Sequence, residues 1–174
     1  MKYLYTPFDV AVYFRTENLT ISEEQSMLDA LWEKKDLEIW SYYRNDKQSF
    51  KKEIHYHIHM MEGYLEDADV LNLIFQEMGS KFSVGESSYE QGVIESYFKI
   101  IKLRLSYSPN TDYCKIKLRN LIARFGYKRR TKALVEYINR TINALGLQAY
   151  LRGWEGCEIG MVSLDDMIIF RNKC

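Results

Sequence analysis

The sequence predicts an α+β protein in two parts. A small acidic α/β sandwich is expected over residues 1–107, and a basic module of two helices and a β-hairpin over 113–172. Three observations carry that expectation. Charge is segregated behind a net of zero: residues 99–152 hold thirteen Lys and Arg against two acids, whereas 1–98 hold nine bases and eighteen acids. Apolar residues in the first part switch between a period of two and one near 3.6, the mark of mixed strands and helices. The last part keeps helical spacing up to a glycine, repeats it, and ends in two short strand-like runs.

In the first part, Asp9 to Arg15 reads as a strand, rich in Val, Tyr and Phe. Ser22 with Glu23, Glu24 and Gln25 forms a helix start of the capping-box type ahead of Met27, Leu28, Leu31 and Trp32. Leu37 to Arg44 reads as a second strand. Glu53 to Met61 alternates Ile54, Tyr56, Ile58 and Met60 against His55, His57, His59 and Met61, a third strand. A helix then starts at Asp67 or Asp69, carries Val70, Leu71, Leu73, Ile74 and Met78, and stops at Gly79; Ser80 to Gly92 is a polar loop. Tyr97 to Tyr107 fits a last strand, and a helix from Tyr89 to Leu105 fits almost as well. The strand reading completes a βαββαβ order of ferredoxin-like connectivity. The turn-rich run Ser106 to Asp112, with Pro109, is the expected seam between the parts.

In the second part, Lys115 to Phe125 places Leu118, Leu121, Ile122 and Phe125 on one face of a short helix, and Gly126 breaks it. Thr131 caps a longer helix with the stripe Leu134, Ile138, Ile142 and Leu145, ended by Gly146. Gln148 to Arg152 and Met167 to Arg171 read as strands joined through a Gly153-Trp154-Glu155-Gly156 turn. Helix, glycine turn, longer helix and β wing follow one another as in a winged helix-turn-helix, so the part is a basic winged-helix-like module. A duplex is its natural partner. The second helix would enter the major groove behind Lys128, Arg129, Arg130 and Lys132, presenting Asn139, Arg140 and Asn143 to base edges. Arg119, Arg124 and Arg152 would hold the phosphate backbone.

The stretch Leu118-Arg119-Asn120-Leu121-Ile122-Ala123-Arg124-Phe125-Gly126-Tyr127-Lys128-Arg129-Arg130, followed by an amphipathic helix and Leu145-Gly146-Leu147, resembles a winged-helix-like module. That module recurs at the ends of prokaryotic restriction- and defence-associated proteins. The resemblance covers residues 115–171, about a third of the chain, and rests on the aromatic-Gly-aromatic-Lys-Arg-Arg turn. It implies nucleic-acid sensing or positioning, with another domain acting. Residues 1–110 carry no matching motif. The competing reading of the basic segment is a solvated face that docks on the acidic half or on an acidic partner.

His55, His57 and His59 would line one face of a strand at ~6.6–6.8 Å intervals, where neighbours could ligate a divalent metal with Glu53 or Glu62. On a helix, His55 and His59 would still share a face and His57 would leave it. A single strand rarely supplies three ligands, so an exposed sheet face is the preferred reading and no metal or other cofactor is expected. Walker-type loops, Gly-x-Ser-x-Gly elbows and Cys-x-x-Cys pairs do not occur. Glu66, Asp67 and Asp69 resemble nuclease carboxylates only in kind, because acids ahead of an apolar helix ordinarily complement its dipole. Asp165 and Asp166 read as turn residues. The three cysteines, Cys114, Cys157 and Cys174, fit neither a disulfide framework nor a zinc set. With no leader-like N-terminus and no long apolar run, a cytoplasmic location is expected.

The leading expectation is therefore a non-enzymatic protein that binds nucleic acid, DNA rather than RNA, with a regulatory or defence-associated role. The alternative is an interaction or adaptor subunit of a larger nucleoprotein assembly, with a protein partner on the acidic part. A metal-dependent hydrolase or nuclease using the three histidines ranks third.

Overall fold

The computed structural model describes residues 4–62, 89–153 and 156–173. The chain divides into two compact units, Lys2–Met78 and Gly79–Cys174. Among the described residues there are seven α-helices, one short 3-10 turn and one three-stranded sheet, so the α+β class holds for the chain. The sheet lies entirely in the second unit, and the strands expected in the first part are helices. The helix expected after Asp67 and most of the Ser80–Gly92 loop lie outside the described residues, as do Trp154 and Glu155 of the wing turn.

The first unit is helical because its caps override strand-like composition. α1 (Pro7–Glu17) begins at Thr6, whose Oγ1 accepts from Asp9 N at 3.3 Å while the Asp9 carboxylate accepts from Thr6 N at 2.9 Å. Pro7 occupies the first helical position, where its missing N–H costs nothing. Every residue from Pro7 to Phe14 is buried, so no polar face betrays the 3.6 period. α2 (Ile21–Glu33) is capped two residues before the expected Ser22. Thr20 is its cap, with Glu23 reaching back to Thr20 N at 2.8 Å. Met27, Leu28 and Leu31 are its buried face. The expected Leu37–Arg44 strand is a short α3 (Lys35–Glu38), one parallel bridge between Tyr5 and Ile39, and a 3-10 turn at Ser41–Tyr43.

α4 (Lys47–Met61) replaces the third strand. Asp46 caps it by accepting from Ser49 N at 2.9 Å. Phe50, Ile54, His57 and Met61 form its buried stripe, a spacing of four, three and four residues. α1 and α4 are the most extensively packed helix pair of the unit, with the Phe8 ring edge-on to His57 at 5.6 Å.

The second unit is built around α5 (Tyr89–Tyr107), the helical one of the two readings left open for this segment. Val93, Ile94, Phe98, Ile101 and Leu103 are buried, as are Glu95, Ser96 and Lys99, so the helix is enclosed on most sides. It packs on later helices and strands of the same unit, which places 89–107 beyond the division at 78/79 and not in a first domain ending at 107. Asn172 ties the helix to the sheet: its Oδ1 accepts from Lys102 Nζ at 2.7 Å, and its Nδ2 donates to the Leu105 carbonyl at 3.1 Å. Tyr137 donates its hydroxyl to buried Glu95.

β1 (Cys114–Lys117), α6 (Leu118–Arg124), α7 (Lys132–Ala144), β2 (Leu147–Tyr150) and β3 (Met167–Asn172) follow. The sheet is antiparallel in the order β1-β3-β2, with Phe170 opposite both Cys114 and Ala149. The expected helix at Lys115 starts three residues later, because Cys114-Lys115-Ile116-Lys117 alternates and pairs Ile116 with Ile168. The apolar stripes expected for both helices are buried. Redrawn at 78/79, the charge asymmetry persists, with eight bases and fifteen acids in Lys2–Met78 and sixteen and nine in Gly79–Cys174.

Candidate nucleic-acid interface

The turn between α6 and α7 depends on Gly126, whose φ of +82° lies in the left-handed region that side chains disfavour. Gly126 N donates to Ala123 O at 3.0 Å and Tyr127 N to Ile122 O at 3.1 Å, closing α6. Thr131 then caps α7 by accepting from Leu134 N at 3.2 Å. The short connection exposes Lys128, Arg129 and Lys132 at the N-terminal end of α7, with no hydrogen bond or ion pair to the described residues. With Leu134, Tyr137, Ile138, Thr141 and Ile142 turned inward, α7 leaves Glu136, Arg140 and Asn143 exposed and Asn139 half-buried.

The other sequence-derived candidates differ in what they touch. Arg130 does not point outward as a phosphate contact. Its Nη1 donates to the carbonyls of Ile159, at 3.1 Å, and of Val162, so the side chain pins the 159–162 loop. Arg119 is paired with Asp165, Nε to Oδ1 and Nη2 to Oδ2, each at 3.0 Å. This pair holds the Asp165 carboxyl below its ordinary value and raises the guanidinium. Arg124 lies over the Tyr97 ring at 5.9 Å, and burial pushes the Tyr97 hydroxyl up to about 12. Arg140 covers the Tyr137 ring at 4.8 Å. Arg152 is exposed just past β2. The structure therefore brings Lys128, Arg129, Lys132, Asn139, Arg140 and Asn143 to one end and one face of α7, and gives Arg119 and Arg130 intramolecular partners.

Sequence reasoning missed Lys115 and Lys117, both exposed on β1. Their signal was the alternation Cys-Lys-Ile-Lys, absorbed into the helix reading. It also missed Gln148, which shares a pocket with Asn139 and Asn143. Asp166 is the turn residue expected of it, accepting from Ser163 N at 2.8 Å.

The histidines separate because their segment is a helix and not a strand. His57 is 4 % exposed in the α1–α4 core, where burial lowers its pKa against the opposing pull of Glu53 and Asp9. His55 and His59 face outward, and His59 Nδ1 lies 3.0 Å from Glu62. Three imidazoles on one face, the arrangement a strand would offer a metal, is thereby corrected. Among the described residues no group of three or more His, Cys, Asp or Glu converges with metal-site geometry. Glu66, Asp67 and Asp69 lie outside them. No helix among the described residues is long and apolar enough to cross a membrane.

No family model matches the chain, and no curated protein or solved structure is detectably similar to it.

Proposed function

We propose that the Gly79–Cys174 unit is a winged-helix-type module that binds duplex DNA without catalysing a reaction, with α7 in the major groove and the segment between β2 and β3 against phosphates. The observation that carries this reading is the exposed trio Lys128, Arg129 and Lys132, which no acid among the described residues neutralises and which fronts the polar face of α7. Cations placed there displace counterions from phosphates, and backbone N–H groups of the first turn point the same way. The helix–strand–helix–helix–strand–strand order and the β1-β3-β2 sheet support the same reading. Lys115 and Lys117 extend the positive field along the sheet edge. The resemblance of residues 118–130 to restriction- and defence-associated modules extends the proposal to a regulatory or defence-associated role.

The test is fluorescence anisotropy on a labelled duplex across about 50–200 mM salt, where counterion release is large. The chain binds at low salt and weakens steeply as salt rises. Lys128→Ala with Arg129→Ala lowers the log–log salt slope by about 1.8, two contacts at ~0.9 each. An unchanged slope overturns the model.

A second reading rests on the first unit, where Trp40, Tyr42 and Tyr43 cluster with ring separations of 4.9–5.8 Å and Tyr42 is 75 % exposed. Exposed aromatics of this kind anchor protein interfaces, so this unit would recruit a protein partner to the nucleic acid. Weak duplex binding by the isolated chain, restored inside a larger particle on sizing, favours this reading.

A further inference from the structure

A pocket of about 460 Å³ lies between the C-terminal half of α7 and β2. It is assembled by backbone pairing. The bridge between Tyr150 and Gly156, with Cys157 N donating to Ala149 O at 3.1 Å, folds the 156–158 segment back alongside β2. Lys173 N donates to Gly146 O at 2.8 Å and fixes the other end. The volume falls within the range of small-molecule sites, about 300–1,000 Å³.

The lining is chemically selective. Ile142, Leu147 and Ala149 lie beneath it almost wholly buried, so the accessible wall is mostly polar. Three carboxamides stand around it, Asn139 and Asn143 one turn apart on α7 and Gln148 on β2. None of the three forms a side-chain hydrogen bond with the described residues, so each keeps donor and acceptor capacity for a ligand. Formal charge balances between Glu158 and Lys173, and burial pushes the Cys157 thiol up, leaving it neutral. A Cβ at Gly156 would make ordinary contact, 3.6 Å from Gln148 Nε2, so only a larger side chain there would reach into the pocket.

We propose that this pocket binds a nucleobase whose edge is read by Asn139, Asn143 and Gln148. Carboxamides pair with a base edge by matching a donor and an acceptor at once, as with the N6 and N7 of adenine. A phosphate is the wrong ligand, since one lysine opposed by one glutamate supplies no net positive field. An aliphatic ligand would leave three carboxamides unpaired, at a cost that grows with each. The base has two sources, a free nucleotide or a base displayed by a nucleic-acid strand, and the pocket chemistry is common to both. This inference does not depend on the phosphate contacts of Lys128, Arg129 and Lys132, and it takes Asn139 and Asn143 out of the set that could read a duplex.

The test titrates the full chain calorimetrically with the four deoxynucleoside monophosphates and, separately, with single-stranded homopolymer oligonucleotides. Gln148→Ala and Gly156→Leu are the variants, each checked for an unchanged melting temperature. At least one base type saturates the wild type. Gln148→Ala weakens it roughly tenfold, on the scale of a hydrogen bond to a buried partner, and Gly156→Leu fills the space and abolishes it. Saturation by a free nucleotide assigns the first source, and saturation by oligonucleotide alone assigns the second. No saturable binding of any probe overturns the proposal, as does binding that Gln148→Ala leaves within twofold. Lys128→Ala with Arg129→Ala weakens duplex binding and leaves the mononucleotide titrations unchanged, so the two readings fail separately.

Discussion

Arg119 and Asp165 grip each other through two parallel hydrogen bonds of 3.0 Å, fastening the first turn of α6 to the turn that precedes β3. Arg119 N also donates to Leu164 O at 2.7 Å, so backbone and side chain hold the same junction. An exposed bidentate pair of this kind fixes geometry more than it adds stability. It also masks a cation in the proposed duplex-binding unit.

Asp165→Asn therefore tightens duplex binding. The substitution removes a negative charge and releases Arg119, and one added phosphate contact steepens the salt slope by about 0.9. Anisotropy at two salt concentrations reads both effects. Identical curves for wild type and variant would remove Arg119 from the interface.

Arg130 and Arg129 are neighbours with opposite consequences. Arg130→Ala deletes the donor shared by the Ile159 and Val162 carbonyls, at a cost of about 1–3 kcal/mol. Thermal unfolding of this variant shifts down by several degrees. Arg129→Ala, at an exposed position without a partner among the described residues, leaves the midpoint within about 1 °C while weakening duplex binding. Equal stability losses from the two would overturn the division of roles.

His57 makes stability pH-dependent. Burial lowers its folded pKa below the unfolded value of about 6.5, so the unfolded chain takes up the proton first as pH falls. The stabilisation from keeping it neutral is present above about pH 6.5 and is lost below it, down through the folded pKa. Urea unfolding of wild type and His57→Leu at pH 7.5 and pH 5.5 measures this contribution. The wild type loses more stability on acidification than the variant.

Thr6→Ala tests why α1 is a helix. Thr6 is 3 % exposed and shares reciprocal bonds with Asp9, so removing the hydroxyl costs about 1–2 kcal/mol. Restoration by Thr6→Ser distinguishes a capping role from lost packing of the methyl group.

What could be read from residue order divides along physical lines. α7 was legible because one stripe is apolar and the opposite face polar, and because Thr131 and Gly146 punctuate it. α1 was illegible by period, since a helix buried over its first eight residues resembles a buried strand. The informative residues there were Thr6, Pro7 and Asp9, a local start signal outweighed by Val, Tyr and Phe. In α4 the alternation of Ile and His matched a strand over nine residues, while the stripe Phe50, Ile54, His57 and Met61 needed a longer window and the Asp46 cap. In the basic segment, residue type identified the cations but not their partners. Asp165 lies forty-six positions from Arg119, and the carbonyls that hold Arg130 are twenty-nine and thirty-two positions away. Main-chain acceptors leave no trace in residue type.

The strand order β1-β3-β2 sets a timetable for biosynthesis. The middle strand is the last of the three to leave the ribosome, and until it emerges neither β1 nor β2 has the neighbour it hydrogen-bonds in the finished sheet. Asn172, the last residue of that strand, also fastens the sheet to α5. A nascent chain stalled before Met167 would carry two lone strand edges and an unfilled place for Phe170, the form most exposed to aggregation and proteases. That vulnerability ends only when β3 has emerged to pair with both neighbours.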